Sequence, residues 1–196
     1  DYSTRLKKHT AADTLRAHLL IDLVMNRDRI PPDSVIPINK ELLQISEANH
    51  YQRGIGIATI LMARALIVEN ELAAALKLIQ KADSLRQFVK DPFLNFQVLT
   101  MQATYFADFD LLKSIHFGEQ AVKIAYELNN SKYIYSSHAL VSMSYVNNGK
   151  YISAFQHAEK SLEYAKKLNS YNSEFNAAGQ LATIYNLMGK QDKAME

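Results

Sequence analysis

Apolar and small side chains recur at steps of three and four residues along most of the chain. One clear stripe in the last quarter of the sequence consists of Ala154, Phe155, Ala158, Leu162, Ala165 and Leu168. This spacing follows one face of an α-helix. A similar stripe precedes it, and the sequence Asn147-Asn148-Gly149 separates the two. Because glycine adopts the left-handed conformation that ends helices at little cost, the pattern predicts a helix, a short turn and a second helix.

The pattern of two helices repeats at an interval of about 40 residues. Tyr105, Tyr145 and Tyr185 are each 40 positions apart. The segment GEQAVKIAYELNN from Gly118 overlays AEKSLEYAKKLNS from Ala158 at the same interval. Further upstream, VENELAAALKLIQKADSL fits after a slip of about one residue. Self-similarity at a fixed period is the signature of a repeat architecture, so we predict three clear copies of a helix pair and a truncated fourth.

Polar residues mark where the predicted helices begin and end. Asn129–Ser131 and Asn169-Ser170 provide side chains that cap free backbone N–H groups, and Asp91-Pro92 places a cap before a proline in the first turn. Small residues occupy matching positions inside the helices, where a larger side chain would push the pair apart. They are Ala75, Ser114, Ala154 and Ala194 in second helices, and Ala63, Ser142 and Ala182 in first helices.

These features predict an all-α fold, a right-handed α-α superhelix (solenoid) of antiparallel helix pairs in a single domain over residues 1–196. Its parts are an atypical first pair at 1–50, repeats at 51–90, 91–130 and 131–170, and a truncated last repeat at 171–196. A short lead helix at Ser3–His9 is expected before the first pair, Asp13–Arg27 with Asp33–Ala48. Because the final GKQDKAME starts a second helix, we expect the array to continue beyond Glu196.

The order of residues in each unit resembles the tetratricopeptide repeat. A small residue is followed by a tyrosine three positions on, a glycine four further and then alanines, here Ser142, Tyr145, Gly149, Ala154 and Ala158. The unit is near 40 rather than 34 residues long and lacks the usual tryptophan. The resemblance implies a helical scaffold that binds a protein or a peptide.

The first fifty residues resemble the N-terminal repeat-containing sensor region of bacterial histidine kinases and related signalling regulators. The shared features are Asp13-Thr14 before a leucine-rich helix, Asp33-Ser34 at a helix start, and Tyr51, Gly54 and Ile55 at the entry to the next pair. The resemblance implies the sensory or interaction module of a two-component signal-transduction protein, periplasmic when it belongs to a membrane kinase. An alternative stays open, a cytoplasmic regulator of transcription or phosphotransfer that responds to a short peptide.

Charge and composition narrow the range of partners. The 196 residues carry a net charge of +2, which is too near zero to indicate nucleic-acid binding by this domain. Cysteine is absent, which excludes disulfides and thiolate metal sites. No apolar run approaches the roughly 18–20 residues that span a bilayer, so we expect no membrane contact by this segment itself.

No motif in the sequence indicates catalysis, a metal or a cofactor. None of the six histidines has the paired spacing of a zinc-binding helix, and His138 is expected to be a packed side chain. The sequence GIGI at Gly54–Ile57 lacks the lysine and hydroxyl residue of a phosphate-binding loop, so close helix packing explains it better. We therefore predict a non-catalytic domain with no metal and no cofactor.

Helix-pair solenoids bind extended partners along the concave face that their first helices line. The residues predicted to line this face are Arg64, Phe106, Met143, Asn147, Asn176, Thr183 and Asn186. An asparagine amide can both donate to and accept from a peptide backbone, although the glycine turn after Asn147 explains that residue equally well. The early part of the face contains Ile57, Ile60, Ile67 and Phe106, which suggests a hydrophobic partner or a homodimer surface.

Overall fold

Helices and the turns between them make up the described part of the chain. A computed structural model describes residues 2–25, 34–190 and 193. No strand occurs within these ranges, which confirms the predicted all-α class. The helices are α1 (Tyr2–Lys8), α2 (Thr14–Met25), α3 (Val35–Ala48), α4 (Gln52–Val68), α5 (Leu72–Val89), α6 (Pro92–Phe106), α7 (Leu111–Glu127), α8 (Ser131–Asn147), α9 (Tyr151–Lys167) and α10 (Tyr171–Leu187).

Helices that follow one another along the chain pack as neighbours. In a first compact unit, Asp1–Val98, contacts join α1 to α2, α2 to α3, α3 to α4 and α4 to α5. In a second unit, Leu99–Glu196, contacts join α7 to α8, α8 to α9 and α9 to α10, and α10 also touches α8. Packing of sequential helices in pairs is the predicted arrangement. The single domain and its repeat boundaries stay predictions.

The predicted first pair corresponds to α2 and α3. Asp13 caps α2, because its Oδ1 accepts a hydrogen bond from the backbone N–H of Arg16 at 3.0 Å. The predicted features at Arg27, Asp33 and Ala194 lie outside the described residues.

The helices begin and end at residues that the sequence indicated. Asp91, Asn130 and Ser170 each accept a hydrogen bond from a backbone N–H in the first turn of the following helix. Most helices end at a residue with φ between 47° and 72°: His50, Asn70, Lys90, Asn129, Gly149, Asn169 and Gly189. Glycine adopts this left-handed conformation freely, and asparagine tolerates it better than most other residues. The turns therefore separate the helices at intervals of about 20 residues.

The repeat length changes by one residue at the pair α6–α7. In α4–α5 and α8–α9, the residues that precede the two helices are 20 positions apart. In α6–α7 the corresponding residues, Asp91 and Asp110, are 19 apart. Phe106 is therefore the fifteenth residue of α6, as Tyr145 is of α8, whereas Tyr105 is the fourteenth. The predicted equivalence of Tyr105 and Tyr145 is therefore wrong, because the helix pair α6–α7 is one residue shorter and Phe106 takes the equivalent position.

Large aliphatic side chains form the core of the first unit. Leu20, Leu42, Ile57, Ile60 and Ile79 are each at most 2% exposed. The prediction that Ile57 and Ile60 belong to a surface for a hydrophobic partner or a second copy is wrong. These two side chains fill the interior, where apolar burial stabilises the fold by about 25 cal/mol per Å².

The GIGI sequence lies in α4 where neighbouring side chains approach its backbone. A Cβ atom at Gly54 would collide with Ser46 Oγ, and one at Gly56 would lie 2.8 Å from the side chain of Leu94. A side chain at either position would force these neighbours to shift, so close packing favours glycine here. The prediction of close helix packing in place of a phosphate loop is confirmed.

Small residues and hydroxyl groups join the helices of the second unit. Ser142 Oγ donates a hydrogen bond to the carbonyl of Ala154 at 2.8 Å, which links α8 to α9. Ser114 Oγ donates to the carbonyl of Ala103 at 2.9 Å, which links α7 to α6. The predicted small residues that are fully buried are Ala63, Ala75, Ser114, Ser142 and Ala154, whereas Ala182 is half-buried.

Candidate functional site

Two of the predicted binding residues lie on the exposed side of α8. Met143 is 45% exposed, and Asn147 is also exposed four residues later. Residues four apart in a helix stand one above the other on the same face, about 6 Å along the axis. The Asn147 side chain has no hydrogen-bond partner among the described residues, so its amide is free to meet a ligand.

Helix α10 carries a matching row of exposed polar residues. Asn176 and Thr183 are seven positions apart and therefore share one helix face. Asn172, which the sequence analysis missed, is exposed one turn before Asn176 and extends the row. Its spacing of four from Asn176 was the signal that could have identified it. Thr183 Oγ1 donates to the carbonyl of Gly179 at 2.9 Å, whereas neither asparagine amide has a partner in the described part of the chain.

A hydrogen bond places the two rows side by side. Gln180 Nε2 on α10 donates to the carbonyl of Ala139 on α8 at 3.0 Å. Ala139 lies one turn before Met143, and Gln180 lies one turn after Asn176, so the bond joins the faces that carry these residues. We call the combined surface of Met143, Asn147, Asn172, Asn176 and Thr183 the amide face.

Asn186 lies beside the amide face and not at its centre. It is exposed, and it is the sixteenth residue of α10, the position that Val146 holds in α8. Val146 packs partly buried against Ala154 and Ala158 of the following helix α9. Asn186 therefore lies on the side of α10 that corresponds to the side of α8 on which α9 packs.

The remaining two predicted residues have internal contacts. Arg64 is in the first unit, half-buried, and already interacts with another group. The ring of Phe106 is stacked on Phe117 with centroids 5.9 Å apart and meets Phe109 edge-on, and Lys113 Nζ lies 5.0 Å from its centroid. Phe106 thus belongs to an aromatic cluster at the α6–α7 turn and is half-buried.

An apolar groove runs along α10 next to the amide face. Its volume is about 440 Å³. Its lining includes Leu162, Phe175, Gly179, Ala182 and Tyr185. Phe175 is 66% exposed, and its ring lies 6.3 Å from that of Tyr171. A partner on the amide face therefore has apolar surface within reach on α10.

A cluster of titratable side chains surrounds the buried His138 on the opposite side of α8, and the sequence analysis did not find it. His138 Nδ1 lies 3.0 Å from His157 Nδ1, and His157 Nε2 lies 3.2 Å from Glu119 Oε1. Tyr145 Oη donates to the same carboxylate at 3.0 Å, and Tyr126 Oη lies 3.2 Å from His138 Nε2. We call these five residues from α7, α8 and α9 the histidine cluster.

The environment of the histidine cluster changes its proton affinities. Burial is the main reason that the pKa of His138 falls to about 4, and the neighbouring His157 lowers it further. The hydrogen bond from His157 holds the pKa of Glu119 below its usual value. Burial, followed by the bond to Glu119, raises the pKa of Tyr145. The prediction that His138 is a packed side chain is confirmed, since it is only 6% exposed.

The described residues contain no candidate metal site and no candidate membrane-spanning helix. Within residues 2–25, 34–190 and 193, no group of three or more His, Asp or Glu side chains is arranged to hold a metal ion. None of the helices described for these residues is long and apolar enough to cross a membrane.

Comparisons with solved structures identify the type of fold. A signal-transduction ATPase with numerous domains and a tetratricopeptide repeat sensor, from Pyrococcus horikoshii, is similar with a TM-score of 0.69 and 16% identity, over 91% of this chain and 29% of its own. A putative kinesin light chain from Podosopora anserina, with tetratricopeptide-like repeats, has a TM-score of 0.66 and 16% identity over 92% and 90%. NprR in complex with its cognate peptide NprX has a TM-score of 0.60 and 16% identity over 91% and 51%.

Sequence comparison adds no family name. No protein-family model and no curated protein matches the chain. The chain spans about three tenths of the length of the Pyrococcus horikoshii protein and half of NprR. Identities of this size establish the fold alone, and on that ground the described helices form a tetratricopeptide-like helical repeat.

Proposed function

We propose that this chain is a non-catalytic repeat module that binds a protein or peptide segment on the amide face, as the sensory or interaction part of a signal-transduction protein. The observation that carries the proposal is the row of unpartnered asparagine amides on α8 and α10, joined by the Gln180–Ala139 hydrogen bond. Repeat scaffolds of this type use extended surfaces to bind partners.

The chemistry of the amide face suits a peptide backbone. Each asparagine offers one acceptor oxygen and two donor hydrogens, which matches the C=O and N–H groups of an extended chain. Met143 adds a flexible apolar side chain that adapts to different partners. The named residues of this face carry no formal charge, so recognition there depends on hydrogen bonding and shape.

The signalling role draws on two kinds of resemblance. The first fifty residues resemble the sensor regions of bacterial histidine kinases, which would place the module in the periplasm. The solved structure of NprR in complex with its cognate peptide favours the second candidate, a peptide-responsive regulator, which we place in the cytoplasm. Topology reporters fused to the full-length protein distinguish the two: an extracytoplasmic signal supports the kinase sensor, and a cytoplasmic signal contradicts it.

The binding proposal is tested with a double substitution on the amide face. A library of short peptides is first screened against the whole chain, and the affinity of a selected peptide is then measured by titration calorimetry. We expect Asn147→Ala with Asn176→Ala to weaken binding by roughly fivefold to a hundredfold, because loss of a paired amide costs about 1–3 kcal/mol.

A matched control locates the effect. Asn186→Ala removes an exposed amide from the flank of α10, and we expect its affinity to stay within about twofold of the original protein. Unchanged affinity in the double variant would contradict the proposal. A larger loss in Asn186→Ala would move the binding site to the flank of α10 that carries this residue.

A further inference from the structure

When both imidazoles are neutral and Glu119 is ionised, one arrangement of protons satisfies each of the four contacts in the histidine cluster. In this arrangement Tyr126 Oη donates to His138 Nε2, and the proton of neutral His138 lies on Nδ1 and is donated to His157 Nδ1. The proton of neutral His157 then lies on Nε2 and is donated to the ionised Glu119. Tyr145 donates a second hydrogen bond to that carboxylate. Both imidazoles are neutral in this arrangement, and each acts once as donor and once as acceptor.

We propose that the histidine cluster is a proton-binding site which accepts one proton with its hydrogen bonds intact and weakens the contact between α8 and α9 when it accepts a second. The proposal depends on the geometry of the five side chains and is independent of any partner on the amide face. It assigns a regulatory ligand, the proton, to a partly buried cluster in the second unit.

The first proton can be accommodated by a shift along the chain of bonds. It arrives at His138 Nε2, and the proton on His138 Nδ1 passes to His157 Nδ1. His138 Nε2 then donates to Tyr126 Oη, whose own hydrogen turns toward the neighbouring hydroxyl of Tyr164. His157 becomes a cation that donates from Nδ1 to His138 and from Nε2 to the negative charge of Glu119. Each contact of the cluster survives.

A second proton cannot be added to the cluster without breaking a contact. It must occupy His138 Nδ1, so two N–H groups on two cations face each other across 3.0 Å. The hydrogen bond between α8 and α9 is replaced by repulsion between like charges in a partly buried site. His138 and His157 can therefore share one added proton, whereas a second proton pushes the two rings, and with them α8 and α9, apart.

Titratable and charged groups on the neighbouring helices influence the pKa of His138. Helix α7 presents Glu119, which favours the cation, and Tyr126. Helix α9 presents His157 and Lys160, which oppose the cation, and Glu163, which favours it. Helix α10 meets α8 through the uncharged Gln180. Burial of the ring and the neighbouring His157 and Lys160 lower the pKa of His138 by more than the two carboxylates raise it.

The direction of the pH effect follows from the lowered pKa of His138. A folded-state pKa of about 4, against an ordinary value of 6.5, means that the unfolded chain binds the proton more readily. The stability contributed by the neutral ring is complete above pH 6.5 and is lost as the pH falls from 6.5 toward 4. Between pH 7 and pH 5 this residue alone should raise the local opening constant roughly twentyfold.

Hydrogen exchange on the whole chain tests this prediction. Peptides from α8 and α9 are compared with peptides from α2 and α4 at pH 7 and pH 5, after correction for the intrinsic exchange rates. We expect opening of α8 and α9 to increase by roughly tenfold or more at the lower pH. His138→Phe, which keeps a buried ring that cannot be protonated, should reduce that increase to less than about twofold. His116→Gln removes an exposed histidine from the same unit and should keep most of the original increase.

Two results would overturn the proposal. One is an equal pH response in α2, α4, α8 and α9, and the other is an unchanged response in His138→Phe. If that variant does not fold, nitrogen-15 chemical shifts of the imidazoles in the original protein decide the question. In the cluster with both rings neutral, the proton must lie on Nδ1 of His138 and on Nε2 of His157, and any other tautomer of the neutral rings contradicts the proposal.

Discussion

The two compact units bury different kinds of side chain. The interior of the first unit is filled by large aliphatic residues such as Leu20, Leu42 and Ile79. The interior of the second relies more on alanine and serine, with Ala154 and Ser142 fully buried. Both units are built from sequential helices, so the same type of scaffold is stabilised in two ways.

The buried hydroxyls show the contrast most directly. In the second unit, Ser114 and Ser142 donate hydrogen bonds to carbonyl groups of a neighbouring helix. In the first unit, Ser46 is fully buried, and its Oγ has no hydrogen-bond partner among the described residues. Burying a polar group without a partner costs about 1–3 kcal/mol, whereas a bonded one contributes modestly to stability. The stability of the first unit therefore depends mainly on the volume of its buried aliphatic side chains, and that of the second depends more on small residues and hydrogen bonds between helices.

The largest expected effect is a loss of core volume in the first unit. Leu20→Ala should lower the free energy of unfolding by about 2–5 kcal/mol, because the side chain is fully buried and leaves a cavity. Leu15→Ala on the same helix is the matched control, since Leu15 is 47% exposed, and should cost much less. Urea unfolding followed by circular dichroism measures both. Equal costs would mean that burial on α2 does not stabilise the first unit.

The next largest effect is expected when volume is added to a closely packed position in the second unit. Ala154→Leu should cost about 1–3 kcal/mol, because the added atoms separate α8 from α9 and break the bond from Ser142. Ala178→Leu adds the same volume at an exposed site of α10 and should be nearly neutral. Thermal unfolding gives the comparison. A neutral Ala154→Leu would show that the helices of this unit are not held at close approach.

The smallest effects are expected from a pair of serine substitutions that differ in sign. Ser142→Ala should lower stability by about 0.5–1.5 kcal/mol, because it removes a buried hydrogen bond. Ser46→Ala should leave stability unchanged or raise it by up to about 1 kcal/mol, because it removes an unpartnered buried oxygen. Both are measured by urea unfolding under the same conditions. Losses of equal size would remove the proposed distinction between the units.

The sequence predicts the helices well because their signals are local. Asn130 and Gly149 mark helix ends through their own backbone and side-chain preferences, and the structure uses both as expected. The apolar stripe of α9 likewise predicts which side is buried. The register at α6 was missed because the shorter pair differs by one residue, and a chance tyrosine at position 105 preserved the spacing of 40.

The histidine cluster was missed because its members meet through tertiary packing. His138 and His157 lie at similar distances on either side of the Asn148-Gly149 turn, so antiparallel helices bring them together. That symmetry is visible in the sequence once the turn is placed. Glu119 comes from a third helix, and its contact depends on how α7 packs, which no local pattern specifies. The exposed residues Met143 and Asn147 were easier to place, because helix periodicity alone puts them on one face.

The shorter pair α6–α7 limits how this protein can be re-engineered by exchanging parts. Helix α6 has 15 residues against 17 in α8, and its turn, Ala107–Phe109, is one residue longer than that after α8. Each residue advances a helix by 100°, so a graft that takes the helix without its turn would rotate the grafted face away from its neighbours. A chimera that preserves the packing must exchange the whole hairpin, cut at the left-handed residues Lys90 and Asn129.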